Sequence, residues 1–213
     1  LVAAETELYG DTGAYASLGE AVMTRATTHS AGPYEIDHVK SDCYAVYTDN
    51  PPAGAFRGFG VLQAAFAIES LMDVLAGKLG LDPVALRRIN ALRVGSVTNT
   101  GQVLRQSVGL LECIDKVDAE MRRLAGNHDP FAPEEVAGKP YLRRAWGFAV
   151  GYKNTGLGGG APDRATAEVE LLPNGIFEAR ISSAELGQGL PAVLQSIAAE
   201  ELGQDLEQVR VLL

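Results

Sequence analysis

Two short glycine-rich segments, each followed at once by a helix-forming pattern, constrain the fold of this chain more than any other feature. The first is AGAFRGFG at residues 53–60, and the second is ELGQGLP at residues 185–191. Glycine at the entrance of a helix permits positive φ and lets the main chain approach another molecule closely. The first turn of a helix also offers free N–H groups, which attract an anion. Each segment is therefore either a plain turn or one wall of a ligand site.

A first helix is predicted directly after AGAFRGFG, from about Gln63. Its apolar residues recur at spacings of three and four, which is typical of one core-facing side. These residues are Phe66, Ile68, Leu71, Met72 and Leu75. Glu69 and Asp73 fall off that side, and Gly77 and Gly80 are expected to end the helix.

Two more helices are predicted before the middle of the chain. Asp82 is a natural N-cap and Pro83 fits the first helical position, so the second helix should run to about Leu92. Ser107 is expected to cap the third helix. The core-facing residues expected on the third helix are Leu110, Ile114, Val117, Met121 and Leu124.

The strand signals lie at both ends of the chain. LVAAETELYG at the start and VRVLL at the end are strand-like, and VRVLL has nothing after it to pair with. RATAEVELL and IFEARISS flank the turn PNG, which predicts a hairpin with positive φ at Asn174 and Gly175. The expected fold class is α/β, with helices and strands mixed (α+β).

The chain is expected to divide into two halves. Residues 125–144 are rich in proline, glycine and charge and show no periodicity, so they are interpreted as a linker. A boundary at Pro140 gives domains 1–139 and 140–213. A further glycine-rich loop, GYKNTGLGGGAPDR at residues 151–164, is too flexible in composition to be only a spacer.

Composition excludes several classes of protein. The formal net charge is -9 and there is no basic stripe, so no nucleic-acid partner is expected. No apolar run is long enough to span a bilayer and no secretion signal is present, so a cytoplasmic protein is expected. Cys43 and Cys113 have no metal-ligand or disulfide spacing and are expected to be small buried residues. His29, His38 and His128 are expected at the surface.

The sequence contains no hydrolase triad, no Walker loop and no dinucleotide fingerprint leading into a helix. The candidate ligand-binding residues are therefore three side chains of the two glycine-rich segments. Phe59 stands between glycines and should lie against another surface or a flat ligand. Arg57 suits a phosphate or a planar ring, and Gln188 can both donate to and accept from the edge of an amide-like ring.

The two segments that carry these residues resemble those of a known protein family. AFRGFG before a glutamine-containing helix, and later ELGQGLPAVLQSIAAEELG, resemble the molybdenum-binding subunit or domain of the xanthine dehydrogenase and aldehyde oxidase family. The resemblance covers essentially the whole chain, including SLGEAVMTRA before the first segment. It implies an internal fragment of a longer protein, spanning the end of one molybdopterin-binding subdomain and the start of the next.

The resemblance assigns roles to single positions. It places Ala55, Phe56 and Arg57 beside the pterin, with the Arg57 main chain next to molybdenum. It implies that Phe59 packs against substrate and that Arg25 orients it. The residues implied to hold the molybdopterin, commonly its cytosine dinucleotide form, are Gly187, Gln188 and Gly189. Two further residues, Lys153 and Asn154, fall near a channel-lining segment.

The implied reaction is oxidative hydroxylation with oxygen from water, and electrons leave through iron–sulfur centres and FAD on other domains or subunits. The implied partners are therefore those subunits, a small-molecule substrate and further copies in an oligomer. The general base is a glutamate expected beyond Leu213, so the fragment itself should be inactive; Glu185 is interpreted as a helix-entry carboxylate. Val61 and Leu62 depart from the purine-oxidising pattern. A purine, another N-heterocycle and an aldehyde all stay open as substrates.

Two other hypotheses compete with this one. The chain could be a non-catalytic binding or assembly module that keeps the fold without the cofactor. It could also be a generic α/β domain in which Phe56 and Phe59 are only core anchors.

Overall fold

The computed structural model describes residues 1–156 and 162–213, and it divides the chain into two compact units, Leu1–Lys153 and Asn154–Leu213. The glycine-rich loop expected at residues 151–164 lies partly outside the described residues. Helices and strands are mixed in both units, which confirms the α/β fold class. No helix of the described residues is long and apolar enough to cross a membrane.

The first unit alternates strands and helices before it becomes mainly helical. Its elements are β1 (Ala3–Gly13), α1 (Gly19–Thr28), β2 (His38–Tyr47), α2 (Val61–Leu79), α3 (Pro83–Asn90), α4 (Leu110–Ala125), β3 (Glu134–Val136) and β4 (Lys139–Arg144). β1 and β2 pair in parallel from Ala3 opposite His38, and α1 forms the crossover between them. β2 then leads directly into the AGAFRGFG segment.

The core of the first unit lies between α2, α3 and α4. Two clusters of buried apolar side chains fill it. The first contains Tyr34, Ile68, Met72, Ala76 and Leu86. The second contains Val84, Ala91, Ile114, Met121 and Phe148.

The α2 helix departs from the prediction in three ways. Glu69 is buried, because Tyr34 and Arg87 hydrogen-bond to it, although it was expected off the core-facing side. Phe66 and Leu71 are 78% and 49% exposed, although both were expected in the core. Gly77 lies within the helix, which ends at Gly80, where the left-handed backbone lets its N–H reach the carbonyls of the last turn.

The predicted N-cap is right for α3 and wrong for α4. The Asp82 carboxylate accepts from the N–H groups of Val84 and Ala85, at 2.8 and 2.9 Å, which confirms the N-cap of α3. That helix ends at Asn90, because Ala91 has extended backbone and bridges to Tyr34. The expected cap at Ser107 is wrong.

The α4 helix begins after Gly109 with no side-chain cap, and Ser107 lies before it in a positive-φ conformation. Cys113, expected to be buried, is exposed on this helix, and Cys43 on β2 is half-buried. Val117 and Leu124, expected in the core, are also exposed, and Asp118 is the buried neighbour of Val117. The buried side of α4 is therefore narrower than the apolar pattern indicated.

The segment interpreted as a linker has structure of its own. β3 and β4 form a short antiparallel pair, and β4 begins at Lys139. The expected boundary at 139/140 therefore falls within β4, whereas the compact units divide after Lys153. The physical reason is that Phe148 packs into the core beside α4, which keeps this stretch in the first unit.

The second unit is a small mixed sheet with one helix. Its elements are β5 (Ala167–Leu171), β6 (Phe177–Ile181), α5 (Leu190–Leu202), a 3-10 turn (Leu206–Gln208) and β7 (Val209–Leu212). The hairpin of β5 and β6 is confirmed. The terminal strand β7 does have a partner, because it pairs in parallel with β6. Gly175 takes positive φ, whereas Asn174 instead accepts the N–H of Ile176 through its side chain.

Candidate functional site

The AFRGFG loop, residues 55–60, enters the first unit from a pinned stretch of chain. The Asp11 carboxylate at the end of β1 accepts from the Gly13 N–H at 3.0 Å and from the Thr48 hydroxyl and the Asn50 amide, each at 2.5 Å. These hydrogen bonds lower the pKa of Asp11, and the one from Thr48 has the largest effect. The Ala53 N–H also donates to the Thr12 carbonyl. The start of the loop is therefore fastened to the end of β1.

The end of the loop is fixed by contact between main chains. Gly60 has a φ of 92° and stands at the N-cap of α2. A Cβ at this position would lie 2.1 Å from the carbonyl oxygen of Val22 and 2.9 Å from the amide nitrogen of Ala26, both on α1. Only glycine fits between these two helices, and α1 therefore sets the position of the loop.

Phe59 is held in an unusual conformation at the tip of this turn. Its φ is 52°, one of three positive values among the described non-glycine residues. Such a backbone costs about 1–3 kcal/mol and persists where the surroundings impose it. The half-buried ring lies under the guanidinium of Arg25, whose Cζ is 5.7 Å from the ring centroid. The structure thus brings together the two residues that the resemblance assigned to substrate.

The other residues of the loop face outward. Phe56 is 89% exposed, so it is not the core anchor that a generic α/β domain would need. The Arg57 guanidinium lies over its ring, 5.6 Å from the centroid. Ala55 and Arg57 are exposed as well, which leaves the main chain of residues 55–57 accessible.

Behind Arg25 lies a packed group that sequence reasoning missed. His29 is buried, although it was expected at the surface, and its ring packs at 4.9 Å from the ring of Tyr152. Its Nδ1 lies 2.9 Å from the Arg25 carbonyl oxygen. Burial lowers the pKa of His29, and the charges of Lys153 and Arg25 lower it further, so the neutral imidazole is favoured. His38 and His128 are exposed, as expected.

A buried ionic group centred on α2 was also missed. The Glu69 carboxylate on α2 accepts from Tyr34, from Arg87 Nε at 2.7 Å and from the Val150 N–H at 3.0 Å. Burial and the adjacent carboxylate raise the pKa of Tyr34 far above its ordinary value. One carboxylate thus ties α2, α3 and the chain before Lys153 together. The sequence signal for this buried group is a glutamate that lies between Ile68 and Met72 on an apolar helix face.

In the second unit, the GQG loop, Gly187–Gly189, forms a ring of N–H donors. The Glu185 carboxylate accepts from the N–H of Gly187, from that of Gly189 at 3.2 Å and from that of Leu190 at 2.5 Å. Desolvation acts to raise the pKa of the exposed Glu185 carboxyl, but these N–H groups outweigh it and lower the pKa. The carboxylate stands in for an anionic oxygen, and the loop therefore fits a phosphate group.

Gln188 uses its side chain within its own loop. Its Oε1 accepts from the Leu186 N–H at 2.6 Å, and its Nε2 donates to the Ala184 carbonyl at 2.9 Å. In this conformation the amide shapes the turn instead of pointing toward a ring edge. Both flanking glycines have positive φ, 105° at Gly187 and 75° at Gly189, which turns their N–H groups to one side.

The remaining candidates lie at the division between the units. Lys153 is the last residue of the first unit and is exposed, and Asn154 is the first residue of the second and is half-buried. In the described parts of the chain, no three His, Cys, Asp or Glu side chains are grouped so that they could hold a metal ion.

Comparison with known proteins identifies the family. Two family models match, each described as a molybdopterin cofactor-binding domain, over residues 1–91 and 120–213. A probable xanthine dehydrogenase subunit of Bacillus subtilis is 33% identical over 213 residues, which is 100% of this chain and 27% of that protein. The chain belongs to the molybdenum-binding subunits of the xanthine dehydrogenase and aldehyde oxidase family.

Two other members of this family are also similar to the chain. The large molybdopterin subunit of nicotinate dehydrogenase from Eubacterium barkeri is 54% identical over 116 residues, which is 54% of the chain and 27% of that subunit. The crystal structure of aldehyde oxidoreductase from Desulfovibrio desulfuricans matches with a TM-score of 0.74 at 29% identity, over 99% of the chain and 23% of that protein. The chain thus spans about a quarter of the length of these relatives.

Proposed function

We propose that this chain supplies part of the active site of a molybdenum hydroxylase. The enzyme would oxidise a purine, another N-heterocycle or an aldehyde by adding oxygen from water. The observation that carries this proposal is the AFRGFG loop, where a positive-φ Phe59 lies under Arg25 between two helices. A strained aromatic residue held beside a cation is typical of a ligand site rather than of a plain turn.

Molybdopterin would be held by main-chain groups of both glycine-rich loops. In the second unit the N–H groups of Gly187, Gln188 and Gly189 would bind its phosphate, in place of the Glu185 carboxylate. In the first unit the accessible main chain of Ala55, Phe56 and Arg57 would lie along the pterin, with Arg57 next to the metal. When bound, molybdenum supplies the two-electron oxidation and the water-derived oxygen. We propose the cytosine dinucleotide form of the cofactor.

Substrate would bind at the first loop. Phe59 offers a half-buried ring surface against which a planar ring can pack. Arg25, whose guanidinium lies over that ring, would orient the heteroatoms of the substrate. The nicotinate dehydrogenase among the relatives supports an N-heterocycle, and the aldehyde oxidoreductase supports an aldehyde.

The electrons and the proton would leave through parts of the protein that this chain does not supply. We propose iron–sulfur and FAD domains or subunits as electron acceptors, a glutamate base beyond Leu213, and an oligomeric, cytoplasmic enzyme. The isolated 213-residue chain should then be inactive. The alternative is a non-catalytic module of the same fold without bound cofactor, and the exposed, strained loop around Phe59 argues against it.

The metal and pterin content of the full-length protein tests the proposal. Purified subunit should contain molybdenum by mass spectrometry and release a pterin dinucleotide on oxidation. A folded full-length protein with neither component would refute the proposal and favour the non-catalytic module.

A matched pair of variants tests the role of the GQG loop. Gly189 and Gly175 both have positive φ, and a Cβ would meet open space at either position, so alanine imposes a similar backbone strain on each. Gly189→Ala should lose most of the bound pterin because it turns an N–H donor of the loop away. Gly175→Ala, in the hairpin turn, should keep it. Equal pterin content in the two variants would remove the GQG loop from the cofactor site.

A further inference from the structure

Two aromatic rings pack against each other at the C-terminal end of α1. His29 stands at the C-cap of this helix, is 4% exposed, and donates from Nδ1 to the Arg25 carbonyl at 2.9 Å. The Tyr152 ring packs on the His29 ring with centroids 4.9 Å apart, and its hydroxyl reaches the Thr28 carbonyl at 3.4 Å. These two rings, the His29–Tyr152 pair, therefore fix the turn of α1 that carries Arg25.

Tyr152 is itself held firmly in place. Two residues earlier, the Val150 N–H donates to the buried Glu69 carboxylate at 3.0 Å, which fixes the main chain before the ring. His29, Tyr152 and Val61, the first residue of α2, also line a common cavity of about 10 Å³. A space of that size is close to the smallest that holds one water molecule, so the Tyr152 ring has little room to move.

The last two turns of α1 determine both contacts around Phe59. Arg25 lies over the Phe59 ring, with its Cζ 5.7 Å from the centroid. The next residue, Ala26, is so close to Gly60 that a Cβ on this glycine would lie 2.9 Å from the Ala26 amide nitrogen. A small rotation of these turns would therefore move Arg25 off the ring. In an active site, a displacement of about 1 Å can lower the rate about a hundredfold.

We propose that Tyr152 is a positioning residue, which acts through His29 to hold Arg25 over the Phe59 ring and does not itself touch the substrate. This inference rests on the proposed function and deepens it. A binding side chain keeps its geometry when the residues behind it are locked by packing. The alternative is that Tyr152 only fills space. A ring that only fills space affects stability alone, whereas a positioning ring also controls the contact between Arg25 and Phe59.

This contact can be measured directly in the full-length protein, without turnover. With 4-trifluoromethyl-phenylalanine in place of Phe59, fluorine NMR gives one signal from the ring. Arg25→Met removes the cation over the ring and defines the shift that its loss causes. Tyr152→Leu keeps apolar bulk but removes the aromatic ring, and it should shift the signal in the same direction. The double variant should shift the signal no further than Arg25→Met does alone.

Two control variants accompany these measurements. Tyr152→Phe keeps the ring and should leave the wild-type signal. Tyr141→Leu removes a tyrosine of the same unit that is 78% exposed on β4, and it should also leave the signal unchanged.

A double-mutant cycle on kcat/KM gives the second readout. The probes are hypoxanthine, pyridine-3-carboxylate and benzaldehyde, one for each open substrate class, and the cycle uses the one that wild type oxidises fastest. Arg25→Met should lower kcat/KM about tenfold or more, the usual effect of losing one charge-assisted hydrogen bond. Tyr152→Leu should lower it less. Because both changes remove the same contact, the double variant should be no slower than Arg25→Met.

An unchanged fluorine signal in Tyr152→Leu or in Arg25→Met overturns the proposal. If the melting temperature of Tyr152→Leu falls while its signal stays, the ring only fills space. Losses in kcat/KM that multiply in the double variant also overturn the proposal, because Tyr152 would then act without Arg25. If Tyr152→Leu does not fold, His29→Leu breaks the pair from the other side and replaces it in each comparison.

Protein without molybdenum and pterin contradicts the proposed function instead. In that case, or if none of the three probes is oxidised, the fluorine signal still decides whether Tyr152 positions Arg25.

Discussion

Among single residues, Glu69 connects more of the first unit than any other side chain described above. Its carboxylate accepts from α3 through Arg87, from Tyr34 and from the main chain at Val150. Arg87 is fully buried, so water cannot solvate its charge if the Glu69 carboxylate is removed. Asp73 also pairs with Arg87, at 2.8 Å, but its own side chain is 57% exposed.

Replacing Glu69 should therefore cost far more than replacing Asp73, although both carboxylates pair with the same arginine. Glu69→Ala should lower the free energy of unfolding by about 3–5 kcal/mol, the usual cost of breaking a buried ion pair by removing one partner. Asp73→Ala, the matched control, should cost about 1 kcal/mol or less, because solvent screens an exposed pair. Urea unfolding followed by circular dichroism measures both. Similar losses for the two variants would contradict the assignment of Glu69 as the central partner.

His29 makes stability depend on pH. Burial lowers the pKa of its folded form below the ordinary value of about 6.5, so the folded state binds the proton less well than the unfolded state. The contribution of the neutral His29 ring to the free energy of unfolding is therefore complete above about pH 6.5 and is lost as the pH falls below that value. The melting temperature should fall between about pH 7.5 and pH 5.5. His29→Gln has no group that titrates there and should show a weaker dependence; parallel curves for the two proteins would rule His29 out as the cause.

At the residue scale, the sequence predicted best where a side chain acts locally. Asp82 caps its helix because the acceptor and both N–H donors lie within three residues. Phe59 stood out because its neighbours are glycines. Glu69 and His29 were misjudged because their partners, Val150 and Tyr152, are more than eighty residues away. Burial of a polar group through such distant contacts leaves no local pattern.

At the scale of elements, the contact between α1 and the start of α2 sets the geometry of the candidate site. Gly60→Ala should disrupt it, since the new Cβ would meet the Val22 carbonyl at 2.1 Å and φ is 92°. Backbone strain and overpacking together predict a loss of about 2–6 kcal/mol in the free energy of unfolding. Because the same turn holds Phe59, the full-length enzyme should also lose activity.

The same helix provides the control for this prediction. Gly77 lies inside α2, and a Cβ there meets nothing within 4 Å. Gly77→Ala should stabilise the protein by about 0.5–1 kcal/mol, because alanine is the better helix former. Thermal unfolding of the two variants should thus shift in opposite directions. A stable, active Gly60→Ala enzyme would show that the contact between α1 and α2 does not position the loop.

Element types were predictable where periodicity and turn chemistry agree. The hairpin of β5 and β6 and the helix after the GQG loop are both confirmed. The predicted cap at Ser107 failed because a capping side chain does not determine the backbone that follows it, and two more residues, Val108 and Gly109, precede α4. The pairing of β7 with β6 could not be predicted, since parallel neighbours are set by tertiary packing rather than by a turn.

At the scale of the whole molecule, apolar surface is the dominant feature. On α2, Leu62 and Phe66 are 60% and 78% exposed, and on β1 and β2 the rings of Tyr9 and Tyr44 stack in the open. In the second unit, Val169 and Leu171 form an exposed apolar face of β5. The predicted amphipathic patterns are therefore present, but several of the apolar faces are uncovered. The periodicity of these apolar residues predicts that they are buried, but it does not predict which surface covers them.

Such surfaces should make the isolated 213-residue chain self-associate. Soluble monomers rarely expose contiguous apolar patches of this kind, and contact between copies removes them from water. Size-exclusion chromatography with light scattering should give a mass above 22.5 kDa that rises with concentration. Phe66→Glu should reduce association by placing a charge at the most exposed large apolar residue of α2, whereas Glu112→Gln on the exposed side of α4 should not. A monomer at all concentrations would mean that these faces are too small or too dispersed to drive association.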